Sequence, residues 1–171
     1  MIMKLQWIML KYALQILFFI SVLTASSHAE VVERIAAVVN NDVITMTDLE
    51  EEAAVRKQSG DSADMPAVLD FIIERELVSA EAGRLGLTVT INEVTNAVLL
   101  FEETFPSRNE FDRFLELYEL DIQDLSRRFA SSIAVDKVRQ QKEAVSTGRY
   151  EKWLMEARKK ADIKIMRVDS Q

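Results

Sequence analysis

The chain has 171 residues, 21 lysines and arginines against 28 aspartates and glutamates, a net charge of −7, and 49% hydrophobic residues. That acidic excess argues against nucleic acid as a partner, because phosphate binding needs a basic face. Four glycines and two prolines are too few turn formers for a many-stranded fold, and there is no cysteine.

Residues 1–29 read as a secretory signal peptide. Lys4 and Lys11 supply a positive n-region, no acidic residue precedes Glu30, and an apolar run follows from Tyr12 to Leu23. Ser27 and Ala29 place small residues where a signal peptidase needs them, so cleavage is expected between Ala29 and Glu30. The alternative is an uncleaved anchor. The apolar run is short for a span of about 20 residues, and extending it back to Leu5 buries Gln6, Lys11 and Gln15. No cysteine follows the run, which excludes a lipid-anchored product. Cleavage would remove Lys4 and Lys11 and take the net charge from −7 to −9. Residues 30–171 are one domain's worth of chain, with no stable membrane insertion expected once the peptide is gone.

The only histidine is His28, inside the expected signal peptide. Beyond it the chain has neither the side chain best suited to proton transfer near neutral pH nor a thiol nucleophile. Thiolate and imidazole metal sites and disulfides are excluded on the same grounds. No catalytic residue, cofactor site or metal site is assigned, and no G-x-x-x-x-G-K or G-x-G-x-x-G segment is present.

In chain order, residues 31–39 (VVERIAAVV) are β-branched and apolar and predict a strand. Asn40-Asn41-Asp42 predicts a turn, and Val43–Thr45 a short extended piece. Thr47 and Glu50 have the spacing of a capping box, which predicts a helix from there to about Gln58. Residues 59–65 (SGDSADM) form a small-polar linker, and Pro66 suits the first turn of the next helix. Its apolar stripe is Leu69, Ile72, Ile73, Leu77 and Ala80, with Gly86 as the stop.

Thr90…Glu93 and Ser107…Glu110 repeat the capping-box spacing and predict helices over about 91–104 and 108–119. Asp121 is the expected N-cap of a longer helix with Ile122, Leu125, Phe129 and Ile133 on one face. The pattern breaks at Ser146-Thr147-Gly148. A last helix carries Tyr150, Trp153, Leu154, Ala157 and Ala161, and residues 162–168 (DIKIMRV) alternate as a half-buried strand. The expected fold is mainly α: a bundle of about six helices with a small sheet built from strands at the two ends of residues 30–171.

Taken together, Ile35–Glu50 (IAAVVNNDVITMTDLE), Leu69–Val89 (LDFIIERELVSAEAGRLGLTV) and Tyr150–Ile165 (YEKWLMEARKKADIKI) resemble the SurA-type periplasmic chaperones. The resemblance implies an opening strand and helix, a second helix with a Gly-Leu exit, and a closing helix and strand that pack back on the N-terminal module. Members usually carry parvulin-type prolyl isomerase domains between the long helix and the closing one. Only Ser146 and Thr147 separate those helices here, so the chain resembles the chaperone core alone. Parvulin sites also rely on histidines. No isomerase activity is therefore expected.

The resemblance implies a periplasmic, ATP-independent holdase for unfolded or nascent envelope proteins, outer-membrane proteins among them. Two other readings stay open: a dedicated partner-binding or assembly subunit, and an isomerase by family similarity only. Phe101, Phe105, Phe111, Phe114 and Tyr118 crowd into a short stretch and are the candidate client-binding residues. The plain alternative for each is core packing at helical spacing. Trp153 is expected in the core against the N-terminal strand. Met155 and Met166 give a weak hint of an adaptable surface, and the acidic runs Asp48–Glu52 and Glu102-Glu103 read as solvated faces.

Overall fold

The computed structural model describes residues 33–166. The expected signal peptide, its expected cleavage point between Ala29 and Glu30, and the outer ends of the expected strands (31–32 and 167–168) lie outside the described residues. Strand β1 (Ile35–Val39) leads through Asn40-Asn41 into β2 (Asp42–Thr45), and helix α1 (Met46–Gln58) follows directly. Helices α2 (Met65–Arg84), α3 (Ile91–Glu102), α4 (Arg108–Leu117), α5 (Ile122–Glu143) and α6 (Arg149–Lys160) come next, and β3 (Ile163–Ile165) closes the order. The fold is mainly α with one small antiparallel sheet, as expected.

The sheet order is β2-β1-β3. Val39 faces Asp42 and Val38 faces Val43 on one side, while Val39 faces Ile163 and Val38 faces Lys164 on the other. Strands from the two ends of the described chain thus share β1. Asn40 makes this junction possible. It takes a left-handed backbone (φ 55°), its N–H donates to the Asp162 carbonyl at 2.7 Å, and its Oδ1 accepts from the Asp162 N–H at 3.2 Å. Asparagine tolerates that conformation better than most residues because its short amide can bond locally.

The cap of α1 differs from the expected one. Thr45, not Thr47, is the N-cap: its Oγ1 accepts from the Asp48 N–H at 3.1 Å, and Asp48 Oδ2 accepts from the Thr45 N–H at 2.8 Å. Thr45 is paired with Ile35 in the sheet, so its backbone is already extended, as an N-cap requires. The boxes at Thr90…Glu93 and Asp121…Asp124 form in full. Ser107 accepts from the Glu110 N–H, but Glu110 turns to Arg113, so the box there is half made. Helix α3 stops at Glu102 and α4 at Leu117, each two residues short of expectation. Glu119 then adopts a left-handed backbone (φ 51°) that lets the Leu120 N–H reach the Leu115 carbonyl, a helix-ending bond. Gly86 (φ 66°) ends α2 in the same way.

Helices α2 and α5 pack on each other and form the spine of the bundle; α5 also meets α3 and α6. Three apolar clusters surround this spine. The first lies under the sheet and joins Ala37, Val39 and Ile44 to Leu49, Val68, Leu69, Ile72 and Ile73. The second gathers Phe101, Phe111 and Leu125, and the third joins Val78 and Ala82 to Val135, Val138, Tyr150 and Leu154. Ala80, expected on the buried stripe of α2, is exposed, and Val78 takes its place because the helix turns from the first cluster to the third. Trp153 belongs to that third cluster rather than to the N-terminal strand. Its ring sits 5.8 Å from Tyr150, with the Lys142 Nζ 4.5 Å from its centre.

One charged cluster is built into the helix junction. Glu52 is buried and accepts from Arg75 Nη1 at 2.8 Å and Arg128 Nη1 at 3.1 Å, while Arg128 also pairs with Glu51. These bonds lock α1 to both members of the spine. Among the described residues, no buried side-chain nitrogen or oxygen lacks a partner.

Candidate functional site

The aromatic stretch singled out in the sequence folds into one cluster at the α3–α4 end of the bundle. Phe101 is its hub, with ring centres 5.4 Å from Phe105, 6.3 Å from Phe111, 5.6 Å from Phe114 and 5.5 Å from Phe129. Phe105 stands 5.2 Å from Phe114, which in turn lies 4.9 Å from Tyr118. Most of these pairs are edge-on, the arrangement favoured by the ring quadrupole and worth about 0.5–1.5 kcal/mol each beyond area burial. Gln58 Nε2 holds the turn between the helices by donating to the Thr104 carbonyl at 3.1 Å and Oγ1 at 2.9 Å.

The five candidate residues do not share one environment. Phe101 and Phe111 are buried, so core packing accounts for both. Phe105, Phe114 and Tyr118 are half-buried and form the outer layer of the cluster. None of the five is fully exposed. Phe129, from α5, completes the set and was expected only as part of a helix stripe.

Exposed apolar surface at this end comes instead from aliphatic residues. Leu99 is 51% exposed, Leu100 65%, Leu117 73% and Ile122 42%. Each adjoins the cluster in sequence: Val98 and Phe101 bracket the first two, Leu117 precedes Tyr118, and Ile122 opens the helix that buries Leu125. A signal for two of them was present. Val98-Leu99-Leu100-Phe101 is a run of four apolar residues, and at about 100° per residue it sweeps about 300° of the helix, more than one core can cover. Leu117 and Ile122 carried no comparable signal. Solvated carboxylates and cations lie nearby, including the ion pairs of Arg108 with Glu102 and Asp112 and of Arg113 with Glu110.

The polar groups of this surface are exposed ion pairs and helix caps. Among the described residues, no group of three or more His, Cys, Asp or Glu side chains is arranged to hold a metal ion, and no helix is long and apolar enough to cross a membrane. A comparison with protein-family models finds no match to this chain, and neither does a comparison with curated proteins.

Proposed function

We propose that this chain is an ATP-independent holdase of the SurA type, exported to the periplasm, that binds unfolded envelope proteins, outer-membrane proteins included. The observation that carries the reading is that Leu99, Leu100, Leu117 and Ile122 face solvent at positions adjoining, in sequence, a cluster whose Phe105, Phe114 and Tyr118 are only half-buried. A contiguous exposed apolar patch marks an interaction site, and four large exposed side chains within residues 99–122 supply the apolar surface for one. An unfolded chain offers the matching chemistry: apolar side chains in variable order, gripped by contacts that need no fixed geometry. The surrounding ion pairs and the net charge of −7 favour solubility while that surface stays open.

Binding alone would suffice for this activity, and the chain is proposed to catalyse nothing. A proline-peptide isomerisation assay is expected to return the uncatalysed rate. The direct test is light scattering of an unfolded outer-membrane barrel protein diluted into buffer with and without the chain. A holdase delays aggregation of that protein and of unrelated unfolded ones. Failure with every client tried would discard the reading. Delay for a single client only would favour a dedicated assembly subunit.

A further inference from the structure

We propose that a cavity at the α5–α6 junction, at the opposite end of α5 from the aromatic cluster, binds a phosphate monoester. The cavity has a volume of about 640 Å³ and is lined by Arg84 from the end of α2, Lys142 from the end of α5, Ser146 and Thr147 from the connecting turn, and Arg149, Lys152 and Trp153 from α6. That volume falls within the range of small-molecule sites and leaves room for more than a phosphate group.

Charge sets this cavity apart from the chain as a whole. Its walls hold four cations against two carboxylates, Glu81 and Glu156, in a chain whose carboxylates outnumber its cations. Glu81 is shared: Arg84 grips it with Nε at 2.7 Å and Nη2 at 2.8 Å, and Lys142 Nζ approaches at 2.5 Å. Glu156 pairs with Lys159, outside the cavity. Most described arginines and lysines are in ion pairs, but Arg149 and Lys152 are in none among the described residues. They lie three positions apart on α6, on neighbouring turns of one face.

The excess of two positive charges matches a phosphate monoester, which carries about −1.5 to −2 at neutral pH and three acceptor oxygens. Arg149 supplies a guanidinium fork, Lys152 a point charge, and Ser146 and Thr147 add hydroxyl donors at the rim. A carboxylate, with one charge and two oxygens, would leave part of that set unused. The pull comes from side chains and not from the helix end. Glu143 already accepts from the Gly148 N–H at 2.7 Å and the Tyr150 N–H at 3.0 Å, which occupies the first amides of α6. The remainder of the ligand would lie along the half-buried Trp153.

The phosphate could belong to a free ester or to a lipid headgroup, and two arms of one experiment separate them. The full chain is titrated calorimetrically with glycerol 1-phosphate, and separately floated with phosphatidylcholine vesicles containing phosphatidic acid. Saturable binding in the first arm alone identifies a free ester; binding in both identifies a headgroup within reach. Arg149→Gln and Lys152→Gln should each weaken it about tenfold or more, the cost of one charge-assisted hydrogen bond. Both side chains are exposed and unpaired, so the variants should melt like the parent, while Lys160→Gln should bind normally. No binding in either arm overturns the proposal. So do unchanged affinity in both variants and equal displacement by acetate at matched ionic strength. The holdase assay is independent of this site and should be unaffected by the two variants.

Discussion

The Tyr150 hydroxyl donates to Glu74 Oε1 across 76 positions of sequence and pins the closing helix to the spine of the bundle. Tyr150 is almost wholly buried, and Arg139 stacks over its ring at 4.8 Å while also bonding Glu74 at 3.0 Å. Burial first, and the Glu74 carboxylate second, push the phenol above its ordinary pKa, so it remains a donor throughout the neutral range.

Tyr150→Phe removes that donor and leaves the ring in place. The expected cost is about 1.5–3 kcal/mol, the range for hydrogen bonds to charged groups. Urea unfolding reads it directly, and a double-mutant cycle with Glu74→Gln should show coupling between the two positions. An unchanged midpoint in Tyr150→Phe would mean the contact contributes nothing.

Local signals were the legible part of this fold. Thr90, Ser107 and Asp121 could be assigned as caps because a cap needs only a short polar side chain and a donor three residues on. The same rule failed at the first helix because it fits twice: Thr45…Asp48 and Thr47…Glu50 have identical spacing. Only the pairing of Thr45 with Ile35, a tertiary fact, decides between them. Trp153 was misplaced for a similar reason, since periodicity gives the face of a helix and not its neighbour. Among the aromatics, spacing could not separate Phe111, fully covered, from Phe114, partly open, because both lie on the inward face of α4. The cation-lined cavity was not legible at all. Its walls come from two stretches, 81–84 and 142–156, that meet only in the folded chain.

Acid should act on stability in two opposite directions. Glu81 is held down to about 2, by the Arg84 bond first and then by Lys142 against the penalty of burial. Its lowered pKa means the folded state keeps the charge longer than the unfolded one. The stability it adds is complete above the ordinary value of 4.5 and disappears as pH falls toward about 2. Glu51 and Glu76 behave oppositely: burial raises both, so protonating them as pH falls toward the ordinary carboxylate range relieves the folded state. Stability should therefore hold or rise slightly on going below neutral pH, then fall steeply. Unfolding followed across that interval should show the steep limb flattened in Glu81→Gln. A wild-type curve that declines steadily from neutral pH would contradict the assignment.

The closing segment should be necessary for cooperative folding. Truncation after Val145 removes Tyr150 and Leu154 from the third cluster, uncovering Val78 and Val138, and strips β3 from one edge of β1. The shortened chain is expected to lose a sharp thermal transition. If it melts as sharply as the parent and at nearly the same temperature, the first 145 residues form the folding unit by themselves.

The client surface can be separated from the core by paired substitutions at the α3–α4 end. Phe111 is fully buried in the aromatic cluster, and Phe111→Ala should cost about 3–5 kcal/mol, a large share of the stability of a small domain. Leu100 and Leu117 face solvent, so replacing either with Ser removes apolar surface without opening a cavity, and melting should shift by no more than a few degrees. The holdase reading requires these two exposed changes, made together, to weaken suppression of client aggregation while the fold stays intact. Phe105, Phe114 and Tyr118 fall between the extremes. Each touches the cluster with one side and leaves the other open, so truncation should lower both stability and client binding. A control pair, Val145→Ser and Met155→Ser, removes exposed apolar groups elsewhere on the molecule and should leave aggregation suppression unchanged. Equal losses from the control pair and the Leu100 and Leu117 pair would show that any apolar surface serves and that no client site is built at this end. No loss from either pair, with the parent still active, would move the site to another face.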